Sequence, residues 1–188
     1  ALLYLKEYFL HLGQFFEYSL QFGSPVFLWF ALKKGEVTGR LAFWMKVAIA
    51  ATFICHGMYA LGYYPRPGSF YQMTMQILGV DEQGAKLFLN VVGVLDFVVG
   101  AGIFLPEKWA RPVLLYAAAW GLATAWARIA GNFYWQFPLS SLHQYLFETV
   151  FRLPHFLVPM ALYLILNQDI KDGKRILKIG AGLPRPNL

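Results

Sequence analysis

The sequence predicts an all-α fold: an integral membrane bundle of four spanning helices, preceded by one further N-terminal helix. Composition carries much of this prediction, because 58% of the 188 residues are apolar and only 14% are charged, against roughly 25% charged in an ordinary soluble domain. The length of the apolar runs carries the rest, since a spanning helix needs about 20 mostly apolar residues. These runs use nearly the whole chain, so we expect a single membrane domain over residues 1–188, with no separate soluble catalytic domain.

Four apolar stretches reach the required length, at residues 41–64, 84–106, 109–131 and 145–168. The N-terminal stretch, residues 7–32, is also long enough, but it carries Glu7, His11, Gln14, Glu17 and Gln21. All of these except Glu17 recur at helical spacing and form one polar stripe. Such a stripe fits a spanning helix packed against protein, or a helix lying in the membrane interface. We expect this helix to span, which gives five spans.

The placement of basic residues predicts the orientation, because Lys and Arg gather in short cytoplasmic loops. With five spans, four basic residues fall on one side: Lys6, Arg66, Lys86 and Arg128. Ten fall on the other side: Lys33, Lys34, Arg40, Lys108, Arg111, Lys171, Lys174, Arg175, Lys178 and Arg185. We therefore expect the N-terminus outside, the C-terminus in the cytoplasm, and residues 169–188 as a basic tail along anionic lipid headgroups. The net charge of +6 reflects the many basic residues on the predicted cytoplasmic side. Nothing in the sequence indicates a nucleic-acid partner.

The two outer connections are longer than the cytoplasmic ones and rich in aromatic residues. They read "PRPGSFYQMTMQILGVDEQ" (65–83) and "NFYWQFPLSSLHQ" (132–144). Tyr and Trp prefer the headgroup level, because the ring is apolar while its polar atom stays hydrated. We expect these connections to form a cap on the outer face.

Ionisable side chains within the predicted spans are the candidates for function. At about 1.5 Å of rise per residue, six of them lie in the outer half or at the midplane, whereas Lys46 lies close to the basic side. Gly93 and Gly100 share the helical face of Asp96, and small residues let helices approach closely in lipid. These polar side chains are therefore predicted to point into the bundle. The set comprises His56, Asp96, Arg128, Glu148, Arg152 and His155.

Four segments resemble the DoxX-like family of small four-helix membrane proteins, over about residues 40–168. They are "RLAFWMKVAIAATFICHGMYALG", "NVVGVLDFVVGAGIFLP", "WARPVLLYAAAWGLATAWARIAG" and "FRLPHFLVPMALYLIL". The resemblance implies a four-helix bundle of the bacterial inner membrane, similar to the small membrane subunit of a thiosulfate:quinone oxidoreductase, although most members have no established activity. It also implies a polar site at His56, Asp96, Arg128, Arg152 and His155. The added N-terminal helix departs from the family pattern and suggests docking to a larger assembly.

Three functional hypotheses follow. The first is an integral membrane subunit of a redox or energy-converting complex whose polar residues surround one quinone- or quinol-binding pocket in the outer half of the bilayer, with Glu148 at its mouth. The second is a purely structural accessory subunit, in which Glu148 pairs with Arg152, and Asp96 with Arg128 or Arg152, only to stabilise the bundle. The third is a small-solute or proton carrier, which the lack of repeated halves argues against.

No intrinsic cofactor is predicted, and quinone is the one candidate ligand. The single cysteine, Cys55, excludes a CxxC pair, a c-type haem motif and a cysteine-based zinc site. His56 and His155 lie at similar depths on different helices, as axial ligands of a b-type haem would, and this alternative stays open. Since the sequence supplies no redox centre, electrons would have to come from another chain. We therefore expect no catalysis by the chain alone, and partners among membrane lipids and other membrane subunits.

Overall fold

The computed structural model describes residues 12–171, with side chains up to residue 168. Within this range every secondary-structure element is an α-helix, which confirms the all-α prediction. The basic tail beyond residue 171, and Glu7 and His11 of the predicted polar stripe, lie outside the described residues. The helices are α1 (Leu12–Glu17), α2 (Ser19–Lys34), α3 (Gly39–Leu61), α4 (Gly68–Leu78), α5 (Glu82–Gly102), α6 (Glu107–Ala130), α7 (Pro138–Arg152) and α8 (Pro154–Lys171).

Four helical segments in this range are long and apolar enough to cross a membrane: Gly39–Leu61, Glu82–Gly102, Glu107–Ala130 and Pro138–Gln168. They correspond to the four predicted spans. Helix α3 packs against α5 and α8, and α6 packs against α5, α7 and α8, so the four spans close into a bundle. The chain is thus a multi-pass integral membrane protein.

The last span begins at Pro138 and not at residue 145. Proline is favoured at the first helical position, because its missing N–H has no partner there in any residue. Residues 139–144 include Ser140, Ser141 and His143, so they end the apolar run without ending the helix. The helix therefore extends about two turns beyond the N-terminal end of the predicted apolar span.

Helices α1 and α2 are separated at Tyr18 and pack along α3, and α2 also contacts α8. The N–H of Leu20, in the first turn of α2, donates to Oγ1 of Thr52 at 3.2 Å, which ties the break to α3. With 6 and 16 residues, neither helix alone meets the length of a span. Whether residues 7–32 cross the membrane therefore stays a prediction.

The first aromatic connection contains helix α4, which packs against α5 and α6. Phe70 and Met73 of α4 are buried in a cluster with Tyr59, Leu89 and Val92. The predicted cap is therefore a packed helix at this point. Glycines with positive φ stand at the residue after α3 and the residue after α4, Gly62 and Gly79, where the chain must reverse.

Candidate functional site

The crossing of α3 and α5 builds the first part of the site. A Cβ on Gly57 would lie 2.8 Å from the carbonyl oxygen of Gly93, so only glycine fits at position 57. This close approach brings Nδ1 of His56 to 3.0 Å from Oδ2 of Asp96. Asp96 has no exposed surface, so the predicted inward orientation is confirmed.

The contact of α6 with the α7–α8 break builds the second part. A Cβ on Gly121 would overlap the backbone carbonyl of His155. The helix breaks at Leu153, just before Pro154, because proline lacks the N–H that would continue the hydrogen bonding of the preceding helix. The carbonyl oxygen of Arg152, freed by the break, accepts a hydrogen bond of 3.1 Å from Nδ1 of His155. Because a carbonyl only accepts, Nδ1 of His155 carries the proton, and Nε2 is an acceptor.

The ion pairs differ from those predicted. Arg128 lies 3.6 Å from Glu148, and Arg152 lies 3.6 Å from Glu17. The predicted pairing of Glu148 with Arg152, and of Asp96 with an arginine, was therefore wrong. Although Glu148 and Arg152 are one turn apart on α7, their partners lie on α6 and α1. Asp96 pairs with the imidazole of His56 on α3.

Glu17 is a site residue that the sequence analysis missed. It was the one polar residue left off the stripe, yet it is only 6% exposed, while Gln14 and Gln21 are partly buried. Gly13, Glu17 and Leu20 recur at helical spacing and are all buried. A glycine one turn before a carboxylate was the available signal that this face packs against the bundle.

A pocket of about 290 Å³, here named the α4–α6 pocket, lies between α4, α5 and α6. Its polar wall consists of His56, Arg128 and Arg152, one from each of α3, α6 and α7. The aromatic wall consists of Phe70, Phe88, Trp120 and Trp126, and the remaining lining is nearly all aliphatic. Trp126 is 57% exposed and Ile77 43%, so the rim opens on the outer surface of the bundle.

A second, much smaller space of about 10 Å³, here named the Asp96 cavity, borders the α4–α6 pocket at His56 and Trp120. His56 and Trp120 line both spaces, whereas Asp96 and His155 line only the cavity, and Glu148 lines neither. The structure thus divides the predicted single pocket in two. His56 and His155 both line this cavity, and the haem alternative stays an untested prediction.

Two further observations concern metal binding and a second space on the surface. No group of three or more His, Cys, Asp or Glu side chains within residues 12–168 could hold a metal ion. An open depression of about 700 Å³ along α7 is lined only by residues of this single helix, among them His143 and Phe147.

The sequence profile of the DoxX-like family matches residues 50–147, just over half of the chain. This protein belongs to the DoxX-like family. The match runs from α3 into α7, so this DoxX-like protein carries three of its predicted site residues inside the matched region: His56, Asp96 and Arg128. Glu148 directly follows the match, and Arg152, His155 and the N-terminal helices also lie outside it. No curated protein and no solved structure matches the chain.

Proposed function

We propose that this DoxX-like protein is a subunit of a larger redox or energy-converting membrane complex, and that it binds a quinone or quinol in the α4–α6 pocket. The observation that carries the proposal is the position of His56, which lines the pocket while its Nδ1 is held by Asp96. With Nδ1 engaged, Nε2 is the ring nitrogen left for a ligand oxygen. In a mostly apolar pocket, a polar group held in a fixed position orients the ligand.

The rest of the pocket supports a planar ring. Phe70, Phe88 and Trp120 offer aromatic surface, and such side chains pack on rings in offset or edge-to-face geometry. Aliphatic side chains at the rim, such as Ile77 and Leu78, suit a hydrocarbon tail leading out to lipid. The volume of about 290 Å³ is at the lower end of the roughly 300–1,000 Å³ of small-molecule pockets. It suits one substituted ring.

The two arginines suit the ring's second oxygen. The 3.6 Å separations of Arg128 from Glu148, and of Arg152 from Glu17, exceed normal hydrogen-bond lengths. Nε of Arg128 is also buried without a hydrogen-bond partner. Guanidinium N–H groups therefore remain for a carbonyl or hydroxyl oxygen of the ligand.

The proposed setting is the bacterial inner membrane, with the N-terminus outside and the C-terminus cytoplasmic. In this orientation the α4–α6 pocket lies in the outer half of the bilayer. Because the sequence supplies no redox-centre motif, a partner subunit would exchange electrons with the bound quinone. The helices α1 and α2, which lie outside the matched family region, are the proposed contact with this partner.

A structural accessory subunit is the second candidate, and the internal ion pairs favour it. Each pair joins two different helices: His56 with Asp96, Arg128 with Glu148 and Arg152 with Glu17. Such pairs can stabilise a bundle without binding anything.

Extraction of lipids from the natively purified protein separates the two candidates. Quinone present at close to one molecule per chain, and depleted in an Arg128→Met variant that still folds, supports the pocket. A stable complex with other subunits but no quinone above the level of the bulk lipid favours the structural role.

A further inference from the structure

Three buried polar atoms around the Asp96 cavity form no hydrogen bond of normal length and angle with a protein group, although the indole of Trp120 lies close enough to the Asp96 carboxylate to interact with it. They are Oδ1 of Asp96, Nε1 of Trp120 and Nε2 of His155, and all three side chains line the cavity. Asp96 is 0% exposed and His155 is 5% exposed. A buried polar atom without a partner is costly to folding, so three of them around one space indicate a polar occupant.

The role of each atom in a hydrogen bond can be assigned. An indole N–H only donates, so Trp120 is a donor. His155 donates through Nδ1 to the carbonyl of Arg152, so its Nε2 accepts. Asp96 as a carboxylate accepts from His56 through Oδ2, and its Oδ1 is a second acceptor. One donor and two acceptors around one point are the complement of a single water molecule.

We propose that the Asp96 cavity is a binding site for one water molecule. This water accepts from Trp120 and donates to Asp96 and His155, which gives the three hydrogen bonds typical of buried water. The volume of about 10 Å³ matches the space that one water needs. A metal cation fits poorly, because the indole N–H directs a positive hydrogen at the same space.

The water joins side chains from three spans into one hydrogen-bonded chain. The chain runs from His56 in the wall of the α4–α6 pocket, through Asp96 and the water, to His155 beside the helix break. Asp96 is then held as an acceptor on both oxygens, so His56 keeps its proton on Nδ1 and offers Nε2 as an acceptor. The next step rests on the proposed function. Because Nε2 of His56 is an acceptor in the α4–α6 pocket, it can bind a ring hydroxyl, as in a quinol, but not a ring carbonyl, which has no hydrogen to donate.

NMR of the full-length protein in nanodiscs tests the water site without any ligand. Tryptophan is labelled with ¹⁵N at the indole nitrogen, and the signal of Trp120 is assigned through Trp120→Phe. We expect a cross-peak between the Trp120 N–H and a long-lived water, which His155→Phe removes and the control His143→Phe on α7 preserves. Absence of this cross-peak from the wild-type spectrum would overturn the water site, whether or not the variants fold.

Three further outcomes are also decisive. If Asp96→Asn shifts the Trp120 indole signal, and wild-type protein shows no water cross-peak, the indole donates directly to Asp96 and the proposed water is wrong. Separately, a short-chain quinol should bind the wild-type protein more tightly than the matching quinone. Equal affinities would contradict only the step from the water to the form of the ligand, and no binding of either would contradict the proposed function.

Discussion

Asp96 and Glu17 are carboxylates buried in a bundle that lipid surrounds. A charged side chain at the centre of a spanning helix costs about 2.5–3.5 kcal/mol on insertion scales, so each needs a partner. Asp96 has His56, and Glu17 has Arg152. Each contact also crosses between helices, so the hydrogen bond to Asp96 fixes α5 against α3, and the ion pair of Glu17 fixes α7 against α1.

The Arg152–Glu17 pair gives a test at the residue scale. Glu17→Leu leaves the largely buried Arg152 without its carboxylate, and breaking a buried pair on one side costs about 3 kcal/mol. We expect this loss in the free energy of unfolding, measured by titration with SDS. The matched control is Gln14→Leu on the same helix, which is partly buried and should change stability by less than about 0.5 kcal/mol. Similar losses in both variants would contradict the importance of this pair.

At this scale the sequence predicted which polar residues face inward, but not which ones pair. The glycines around Asp96 were enough for its orientation, because close helix approach turns that face toward protein. Pairing depends on how far each helix is rotated and shifted against its neighbours, and spacing along one helix does not contain that information. Glu148 and Arg152 therefore looked like partners at i and i+4, while their true partners were on other helices.

At the scale of helices, two close contacts position the site. Gly57 meets Gly93 between α3 and α5, and Gly121 meets His155 between α6 and α8. The break before Pro154 adds a free carbonyl that fixes the His155 ring. The site thus depends on glycine and proline as much as on its ionisable residues.

The substitution Gly121→Ala tests the second contact. The new methyl group would meet the backbone of His155, which cannot move without shifting α8, so a loss of about 1–3 kcal/mol is expected. Gly68→Ala is the control, because its methyl group would meet no atom within 4 Å. Thermal unfolding in detergent should therefore show a lower melting temperature for Gly121→Ala than for Gly68→Ala. The reverse order would mean that α6 and α8 are less closely packed than described.

The helices themselves were predictable where long apolar runs define them, and less so elsewhere. Helix α4 was missed as a helix because it lies within an aromatic connection and not within a long apolar run. Its amphipathic pattern was nevertheless readable, since Phe70, Met73, Thr74 and Ile77 recur at helical spacing. The break at Tyr18 had no such signal in the sequence, because it depends on a hydrogen bond from Leu20 to a residue of α3.

At the scale of the whole molecule, α4 and the ends of α3, α5, α6 and α7 place the pocket and most of the polar residues at one end of the bundle. The other end carries the basic connections with Lys33, Lys34, Lys108 and Arg111. The asymmetry of charge predicts that the basic end faces the cytoplasm. A ligand would then enter the α4–α6 pocket from the outer leaflet.

Labelling of single cysteines in intact cells tests this orientation. In a Cys55→Ala background, Ser69→Cys on α4 and Glu36→Cys between α2 and α3 place one exposed thiol at each end of the bundle. A maleimide that cannot cross membranes should label Ser69→Cys in intact cells, and Glu36→Cys only after lysis. The opposite pattern would invert the proposed topology and place the pocket in the inner leaflet.

The central claim is that the α4–α6 pocket binds a quinone or quinol. Its most direct test compares ligand binding by the wild type with binding by a variant whose pocket is filled by a larger side chain. Ala127→Phe puts a ring into the pocket from α6, while Ala119→Phe adds the same ring on an exposed part of the same helix, outside the pocket lining. Binding of a short-chain quinone and its quinol is followed by quenching of tryptophan fluorescence, since Trp120 and Trp126 line the pocket. We predict saturable binding of at least one form to the wild type and to Ala119→Phe, and binding at least tenfold weaker, or roughly 1.4 kcal/mol, in Ala127→Phe. Absence of saturable binding to the wild type, or unchanged affinity in a folded Ala127→Phe variant, would contradict the account.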